Sequence, residues 1–337
     1  MDTFFVWLKF CLCVLIILVA GRKVARYGDV IATKTGLGGL WIGLLLISIV
    51  TSLPELFNGI SSSVLVKAPD LTVGDIFGSN VVNLLILAVA DVAYQNGPLL
   101  SAASTRHLLP AGLSMALVGF VALCVLISAR VSGMGLGWIG VYTPIIVFLY
   151  LIMMRMVFRY EKSQALLADE ALDAQYDAVS STRTYLTFAV AAAFVIGAGT
   201  WLAYIGQDIA EVTGWGQSFV GSLFIAITTS LPEISVSFAA LQIGAVDMCI
   251  ADIIGSNMFN MVIIAVDDVC YREGPILAAV SESHFFTGLV VLAMTCLVMA
   301  AVVSRTQRKT RLGFSWYVPL MIGLFAVSAY LSYTVNG

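Results

Sequence analysis

The chain has 337 residues, of which 60% are hydrophobic and only 11% are charged, and its mean hydropathy is +0.99. This small number of charged residues cannot cover the surface of a water-soluble globule of this size. The composition therefore excludes an ordinary soluble domain and predicts a membrane protein. The net charge of −3 says little, because the charges of a membrane protein matter by location. The one dense basic cluster, at residues 305–311, is only a short loop, which argues against nucleic-acid binding.

Apolar runs of about the 20 residues that a helix needs to cross a bilayer recur along the chain. We predict ten spanning helices, at residues 4–21, 37–64, 71–94, 107–129, 136–157, 184–205, 215–241, 247–270, 284–303 and 314–333. The first run follows no basic segment, so we interpret it as a mature helix rather than a signal peptide. Pro54 and Pro232 lie inside the second and seventh runs, where proline removes a backbone donor and frees carbonyl groups. We therefore predict an all-α membrane protein in which helices 2 and 7 are broken.

The chain repeats itself once. Ten residues between positions 8 and 55 recur 178 positions later, and matches between positions 75 and 107 continue at an offset of 177. Each half carries five predicted spans, and an odd number makes the second half enter the membrane in the opposite orientation. We predict two inverted five-helix repeats, 1–158 and 184–337, with ion-binding motifs at 36–98 and 214–275 and a polar linker at 159–183.

The positions of the basic residues predict the orientation. If the N-terminus is outside, thirteen Lys and Arg residues fall in cytoplasmic connections and only Lys67, Arg130 and Arg272 fall in outer ones. This distribution follows the positive-inside rule. Both termini are therefore predicted outside a plasma or inner membrane, with the linker in the cytoplasm.

Two polar motifs interrupt the apolar background, and each occurs once per half. Thr51-Ser-Leu-Pro-Glu55 recurs as Thr229-Ser-Leu-Pro-Glu233, and the segment Asp75–Asn83 recurs as Asp252–Asn260. An ionisable residue inside a membrane is costly and marks a functional site by default. At about 100° per residue, each motif places its polar residues on one helix face. Four helices can thus bring together the oxygen-bearing side chains of Thr51, Ser52, Glu55, Asp75, Ser79, Asn83, Thr229, Ser230, Glu233, Asp252, Ser256 and Asn260.

Such a set of oxygen ligands suits hard cations such as Ca²⁺ and Na⁺, and the absence of His and Cys from it argues against zinc or copper. Glu55 and Glu233 together carry a charge of −2, which neutralises one divalent ion. When that ion leaves, the paired acids need Na⁺ or protons in its place, so we expect obligatory exchange. The chain has no Walker motif, so we expect neither nucleotide nor any cofactor besides the transported ions.

Several of these residues also admit a structural role. Asp75 and Asp252 are either ligands or caps of their helices, because both lie near predicted helix starts. Asn83 and Asn260 are either ligands or donors of helix-to-helix hydrogen bonds. The choice between transport and structure also stays open for three further matched pairs: Asn80 with Asn257, Asp91 with Asp268, and His107 with His284.

Over its whole length the chain resembles the calcium/cation antiporter superfamily, which includes the sodium/calcium exchangers. The shared motifs are Thr-Ser-Leu-Pro-Glu and Gly-Ser-Asn-x-x-Asn in each half. The resemblance implies that Glu55 and Glu233 are the central carboxylate ligands and that Asn83 and Asn260 are their partners. It also implies flanking oxygens from Thr51, Ser52, Ser79, Thr229, Ser230 and Ser256, and first and sixth helices that slide across the core.

The chain departs from this family pattern at three places. Asn260 stands where microbial exchangers often have a carboxylate, and Asp75 and Asp252 stand where the family usually has Asn. Asp91, Asp267 and Asp268 occupy positions that are commonly apolar or small. Acids have therefore moved within the third and eighth helices, and the ion and its coupling are open.

Sodium-for-calcium exchange is the leading hypothesis for function. The alternatives are proton coupling, or transport of Mg²⁺ or another cation, on the same fold. A passive cation channel is a third class. An intramembrane aspartyl protease built on Asp75 and Asp252 is a fourth, but the residues before these acids lack the Gly-x-Gly pattern of such enzymes. The expected partners are inorganic cations and the lipid bilayer, and the oligomeric state is not specified.

Overall fold

The computed structural model describes residues 3–131, 135–168, 180–213, 226–311 and 313–336. Twelve α-helices make up most of this part of the chain: α1 (Thr3–Thr35), α2 (Gly38–Trp41), α3 (Ser48–Ser61), α4 (Pro69–Ala93), α5 (Leu99–Ala102), α6 (Leu108–Ser128), α7 (Tyr142–Ala168), α8 (Ser181–Val212), α9 (Leu231–Gln242), α10 (Val246–Cys270), α11 (Ser283–Ser304) and α12 (Tyr317–Asn336). Two π-helical segments, Ile42–Ile47 and Ser62–Val66, flank α3, and 3-10 turns lie at Thr105–His107 and Ile276–Ala278. Residues 226–229 form one further helical turn.

Eight helical stretches of the described residues are long and apolar enough to cross a membrane, and they match eight of the ten predicted spans. They are Phe4–Thr35, Gly38–Val66, Pro69–Ala93, Thr105–Ser128, Tyr142–Gln164, Ser181–Gly206, Val246–Cys270 and Ser283–Ser304. The predicted seventh span lies partly outside the described residues. The tenth corresponds to α12, whose apolar stretch Tyr317–Leu331 is shorter. The all-helical membrane fold is therefore confirmed, and the total of ten spans stays a prediction.

The helices form a buried centre and a less buried periphery. In the most apolar window of each span, α10 is 83% buried and α4 is 72% buried, whereas α1 is only 28% buried. Helix α10 contacts α3, α4, α6, α7 and α9, and α1 packs along α8 and α9. The two helices that carry the Asp75–Asn83 and Asp252–Asn260 motifs therefore lie at the core of the bundle.

The two prolines behave differently from each other. Helix α3 continues through Pro54, so the break predicted there is wrong, and the irregularity lies instead in the π-helical segments on either side. Proline removes one backbone hydrogen bond, and packed neighbouring helices can tolerate that loss. In the second half the helix is interrupted at Ser230, and Pro232 stands in the first turn of α9, where its missing N–H costs nothing.

Two further features differ from the sequence prediction. Gly135–Leu136 and Ile139–Gly140 pair as two short antiparallel strands, which is the one strand pairing in the described residues. Helix α7 extends to Ala168, well past the predicted end of its span at 157. The acidic residues of the linker at 169–179 lie outside the described residues, as do Gly214 and Gly221 of the repeat.

Gly255 explains how α10 approaches the second span. A Cβ at this position would overlap the carbonyl oxygen of Leu44 and lie 2.7 Å from Ser48 Oγ. Among the described residues, a Cβ at its counterpart Gly78 would meet only the Ala226 Cβ, at an ordinary 3.7 Å. Gly255 therefore permits the close backbone approach of α10 to the second span.

Candidate cation-binding site

Two acidic side chains occupy the middle of the bundle. Glu55 on α3 and Glu233 on α9 are both fully buried, and Glu55 lies within Coulombic range of Glu233, Asp75 and Asp252. Ser52, one helical turn before Glu55, donates a hydrogen bond of 3.0 Å to Glu233 Oε1. Among the described residues, neither Glu55 oxygen nor Glu233 Oε2 has a hydrogen-bond partner. The two halves thus meet at a carboxylate pair in which three oxygens accept no hydrogen bond from the described residues.

Four asparagines cross-link α4 and α10. Asn257 Nδ2 donates to the backbone oxygen of Asn80 at 3.2 Å, and Asn80 Nδ2 donates to the backbone oxygen of Asn257 at 3.5 Å. Asn83 Nδ2 donates to Asn257 Oδ1 at 3.2 Å, and Asn260 Nδ2 donates to Asn80 Oδ1 at 2.9 Å. The NH₂ groups of Asn83 and Asn260 thus each donate one bond, and both side-chain oxygens are buried without a donor among the described residues. The asparagines therefore both hold the helices together and present two free amide oxygens.

The threonines of the two motifs reach across to the acids of the opposite half. Thr51 Oγ1 donates to Asp252 Oδ1 at 3.3 Å and lies 3.3 Å from Ser256 Oγ. Thr229 Oγ1 donates to Asp75 Oδ1 at 3.4 Å. These symmetric contacts tie α3 to α10 and the turn before α9 to α4.

Two serines complete the predicted set. The hydroxyls of Ser79 and Ser230 are buried and have no hydrogen-bond partner within the described residues. All twelve predicted oxygen-bearing side chains are therefore buried in this region. The bonds described above link nine of them to a neighbouring polar group, and Ser79, Ser230 and Glu55 contribute unpaired oxygens.

Asp75 and Asp252 are not helix caps. Helix α4 begins at Pro69 and α10 at Val246, so each acid lies six residues into its helix, and Asp70 and Asp247 are the acids of the first turns. Asp75 Oδ2 instead accepts a bond of 2.7 Å from Asn58 Nδ2. The capping alternative fails because both acids lie beyond the first turn, where backbone N–H groups are already bonded within the helix.

Asp91 and Asp268 make structural contacts near the ends of their helices, in agreement with the structural alternative. Asp268 accepts bonds from Gly140 N at 2.7 Å, Tyr142 Oη at 2.8 Å, Thr143 Oγ1 at 2.5 Å and Ile276 N at 2.7 Å. Asp91 accepts the equivalent bonds from Leu99 N, Ser315 N, Ser315 Oγ and Tyr317 Oη, between 2.6 and 2.9 Å. Each acid fastens the start of a distant helix to the end of α4 or α10.

The matched histidines pair with acids of the opposite half. His107 Nε2 lies 2.9 Å from Asp247 Oδ1, and His284 Nε2 lies 3.1 Å from Asp70 Oδ1. Sequence reasoning missed these acids. The available signal was that Asp70 and Asp247 are themselves 177 residues apart, like the histidines.

The donor set fits a hard cation. Within the part of the chain that the structure describes, no three His, Cys, Asp or Glu side chains come close enough together to hold a metal ion. The central region instead offers the carboxylates of Glu55 and Glu233 together with amide and hydroxyl oxygens. Such oxygen ligands suit Ca²⁺ or Na⁺ rather than zinc or copper.

The fold and this buried, oxygen-lined centre define a multi-pass membrane protein that handles cations. The sequence profile of the family "Sodium/calcium exchanger protein" matches residues 5–158 and again residues 183–336. The chain belongs to the sodium/calcium exchanger family and is a membrane cation antiporter, which confirms the resemblance drawn from its motifs.

Individual relatives agree with this assignment. The inner membrane protein YrbG of Escherichia coli K12 is 28% identical over 253 residues, which cover 74% of this chain and 75% of YrbG. The sodium/calcium exchanger MaX1 of Methanosarcina acetivorans is 28% identical over 142 residues, covering 40% of this chain and 39% of MaX1. A structure of the sodium-calcium exchanger NCX_Mj, soaked with Na⁺ and Sr²⁺, superposes with a TM-score of 0.72 over 97% of this chain and 99% of its own. At 17% identity this last match shows the shared fold.

Proposed function

We propose that this antiporter exchanges Na⁺ for Ca²⁺ by alternating access, with Glu55 and Glu233 as the central ligands. The observation that carries the proposal is the buried carboxylate pair, which has three oxygens free of hydrogen bonds in the described structure. An uncompensated pair of buried charges is strongly unfavourable, so the resting site calls for a cation of matching charge.

The remaining ligands come from the two asparagines. The side-chain oxygens of Asn83 and Asn260 are buried and accept no hydrogen bond from the described residues, while the amide nitrogens hold the two side chains in place. With the Glu55 and Glu233 oxygens, and with Ser79 and Ser230, they approach the six to eight oxygens that Ca²⁺ accepts. The surrounding hydroxyls and acids come from Thr51, Ser52, Thr229, Ser256, Asp75 and Asp252.

Exchange follows from the electrostatics of this site. After Ca²⁺ departs, the −2 pair must take up other cations before the protein can change its orientation without exposing bare charge to a low dielectric. Two Na⁺ ions satisfy that demand. Related exchangers often carry an acid at the position of Asn260, which is neutral here. We therefore propose that the site binds only the cations that balance the charges of Glu55 and Glu233.

The architecture that we propose is ten spans in two inverted repeats, residues 1–158 and 184–337. The two separate matches of one family profile, at 5–158 and 183–336, support the duplication. The pairing of Thr51 with Asp252 and of Thr229 with Asp75 supports a two-fold relation between the halves. With the basic residues on the inside, both termini lie outside and the linker at 159–183 lies in the cytoplasm.

A proteoliposome assay tests the function. We expect uptake of radioactive Ca²⁺ when an outward Na⁺ gradient is imposed, and at least a tenfold loss of initial rate in Glu55→Gln and in Glu233→Gln. The matched control is Glu282→Gln, which removes an acid whose described ion pair is with Arg130 and which is partly exposed. Uptake that follows a pH gradient and ignores Na⁺ would replace sodium coupling with proton coupling. Full activity in both glutamine variants would refute the site.

A protease site at Asp75 and Asp252 has no support in this geometry. Each acid is bonded to a threonine of the opposite half, and no hydrogen bond between the two acids occurs in the described residues. The family to which the chain belongs consists of transporters.

A further inference from the structure

Asp267 on α10 is a buried acid that the central site does not use. It is fully buried, and neither of its carboxylate oxygens has a hydrogen-bond partner among the described residues. Its neighbour Asp268 shows the contrast, since that carboxylate accepts four hydrogen bonds. A buried charge without donors is among the most unfavourable arrangements in a protein interior, so the Asp267 carboxyl either holds a proton or faces a bound cation.

The surroundings of Asp267 are made of small and oxygen-bearing groups. Gly59 on α3 faces it directly, because a Cβ at Gly59 would lie 2.9 Å from both Cγ and Oδ1 of Asp267. Only glycine leaves room for the carboxylate at this crossing. Asp75 on α4 also lies within Coulombic range of Asp267.

Asn58 provides an independent indication of a ligand. Its side chain is buried, its Nδ2 donates to Asp75 Oδ2 at 2.7 Å, and its Oδ1 has no donor among the described residues. As in Asn83 and Asn260, the amide nitrogen donates one hydrogen bond and the amide oxygen accepts none from the described residues. Asn58 is thus bonded to Asp75, and the next residue, Gly59, faces Asp267, so three different helices contribute oxygens to this region.

This cluster lies between the central site and one end of the bundle. Asn58 and Gly59 follow Glu55 by three and four residues, which is about 5–6 Å along the helix axis. Asp267 is three residues from the end of α10 at Cys270. Beyond it, Lys67 and Glu273 form an ion pair of 2.7 Å that joins the chain segments leaving the same two helices.

The arrangement occurs in one half only. By the offset of 177, the position matching Asp267 is Ala90, and by the offset of 178 the position matching Asn58 is Val236. At the other end of the bundle, Asp252 is instead bonded by Ser237 at 3.4 Å. The extra acid therefore breaks the symmetry that the rest of the polar core obeys.

We propose that Asp267, Asn58 and Asp75 form a second cation site, about one helical turn from the central carboxylates toward the Lys67–Glu273 end. All of its groups are oxygen donors, so its ligand is a hard cation of the class of Na⁺ or Ca²⁺. The site holds an ion on its way between that end of the bundle and Glu55. It shares Asp75 with the region of the proposed function but does not depend on that function being correct.

Direct ion binding to the purified full-length chain tests this site. Glu55→Gln/Glu233→Gln removes the central charges, and titration calorimetry with Ca²⁺ and separately with Na⁺ then reports what remains. We expect this double variant to retain one bound cation per chain, and the addition of Asp267→Asn to weaken that binding at least tenfold. Adding Glu282→Gln instead should leave it unchanged. The two titrations identify which of the two ions the site takes.

The outcomes separate this site from the central one. If the double variant binds neither Ca²⁺ nor Na⁺, or binds them equally well with Asp267→Asn added, the second site is refuted. If the wild type shows only the binding that Asp267→Asn removes, the central site fails and the second one stands. Thermal melting without added ions checks the fold, and Asp267→Asn should melt no lower than its parent because it removes an uncompensated charge.

Discussion

The acid at the end of α10 offers the sharpest test of the described geometry, because two adjacent aspartates differ completely in their bonding. Asp268 accepts two bonds on each oxygen, from Tyr142 and Ile276 on Oδ1 and from Gly140 and Thr143 on Oδ2. Asp267 accepts none from the described residues. The change Asp268→Asn keeps one acceptor oxygen and replaces the other with an NH₂ group that faces two donors.

The expected magnitude follows from that count. Two charge-assisted hydrogen bonds are lost, each contributing about 1.5–3 kcal/mol, so the free energy of unfolding should fall by about 3–6 kcal/mol. For a chain of 337 residues, an unfolding entropy of about 2.1 cal/mol/K per residue converts this loss into a melting temperature lower by roughly 4–8 °C.

Thermal unfolding of the detergent-purified protein, followed by circular dichroism, measures the effect. Asp267→Asn is the matched control, since it makes the same chemical change one residue away and should not lower the melting temperature when no Na⁺ or Ca²⁺ is added. The reasoning is refuted if Asp268→Asn melts within about 1 °C of the wild type, or if Asp267→Asn is the more damaging of the two.

Three further changes probe the helix contacts. Asn257→Ala removes the acceptor that orients Asn83. Because a hydrogen bond between membrane helices contributes about 0.6–2 kcal/mol, the Ca²⁺ affinity measured by calorimetry should fall about 3- to 30-fold. An unchanged affinity would contradict this role of the asparagine cross-link. Gly255→Ala should destabilise the protein by about 1–3 kcal/mol through its clash with Leu44, and a melting temperature equal to that of the wild type would argue against the close approach. Lys67 donates a hydrogen bond to Glu273 and holds the pKa of that carboxyl below its usual range, so the ion pair contributes above the ordinary glutamate pKa of about 4.3 and is lost as pH falls through the lowered value. Glu273→Gln should remove this acid-side step from the pH dependence of the melting temperature, and a step that persists in the variant would assign it to other groups.

The sequence predicted the helical membrane fold and the burial of Glu55 and Glu233 because both depend on local signals. Apolar runs of spanning length identify helices, and a carboxylate inside such a run must face the interior. The 178- and 177-residue offsets likewise related the two motifs before any contact was known. The cross-half pairs of Thr51 with Asp252 and Thr229 with Asp75 repeat one another as that relation requires.

The features that could not be predicted from the sequence depend on contacts with residues distant in the chain. Periodicity gives the face of a helix but neither its first residue nor the atom opposite it. The sequence therefore leaves Asp75 open as a cap, whereas α4 begins at Pro69 and Asp75 accepts a bond from Asn58. The roles of Asp91 and Asp268 depend on Tyr317 and Tyr142, which lie more than a hundred residues away. The break expected at Pro54 failed for the same reason, because neighbouring helices decide whether a missing hydrogen bond ends a helix.

The asparagine cross-link has a consequence for how this molecule is made. Asn80 and Asn257 each satisfy a backbone oxygen that belongs to the opposite copy of the repeat. During synthesis the side-chain amides of Asn80 and Asn83 therefore lack these partners until α10 has inserted beside α4. A substitution at either asparagine removes a hydrogen-bond partner from the other half of the chain. The two halves therefore constrain each other's sequence.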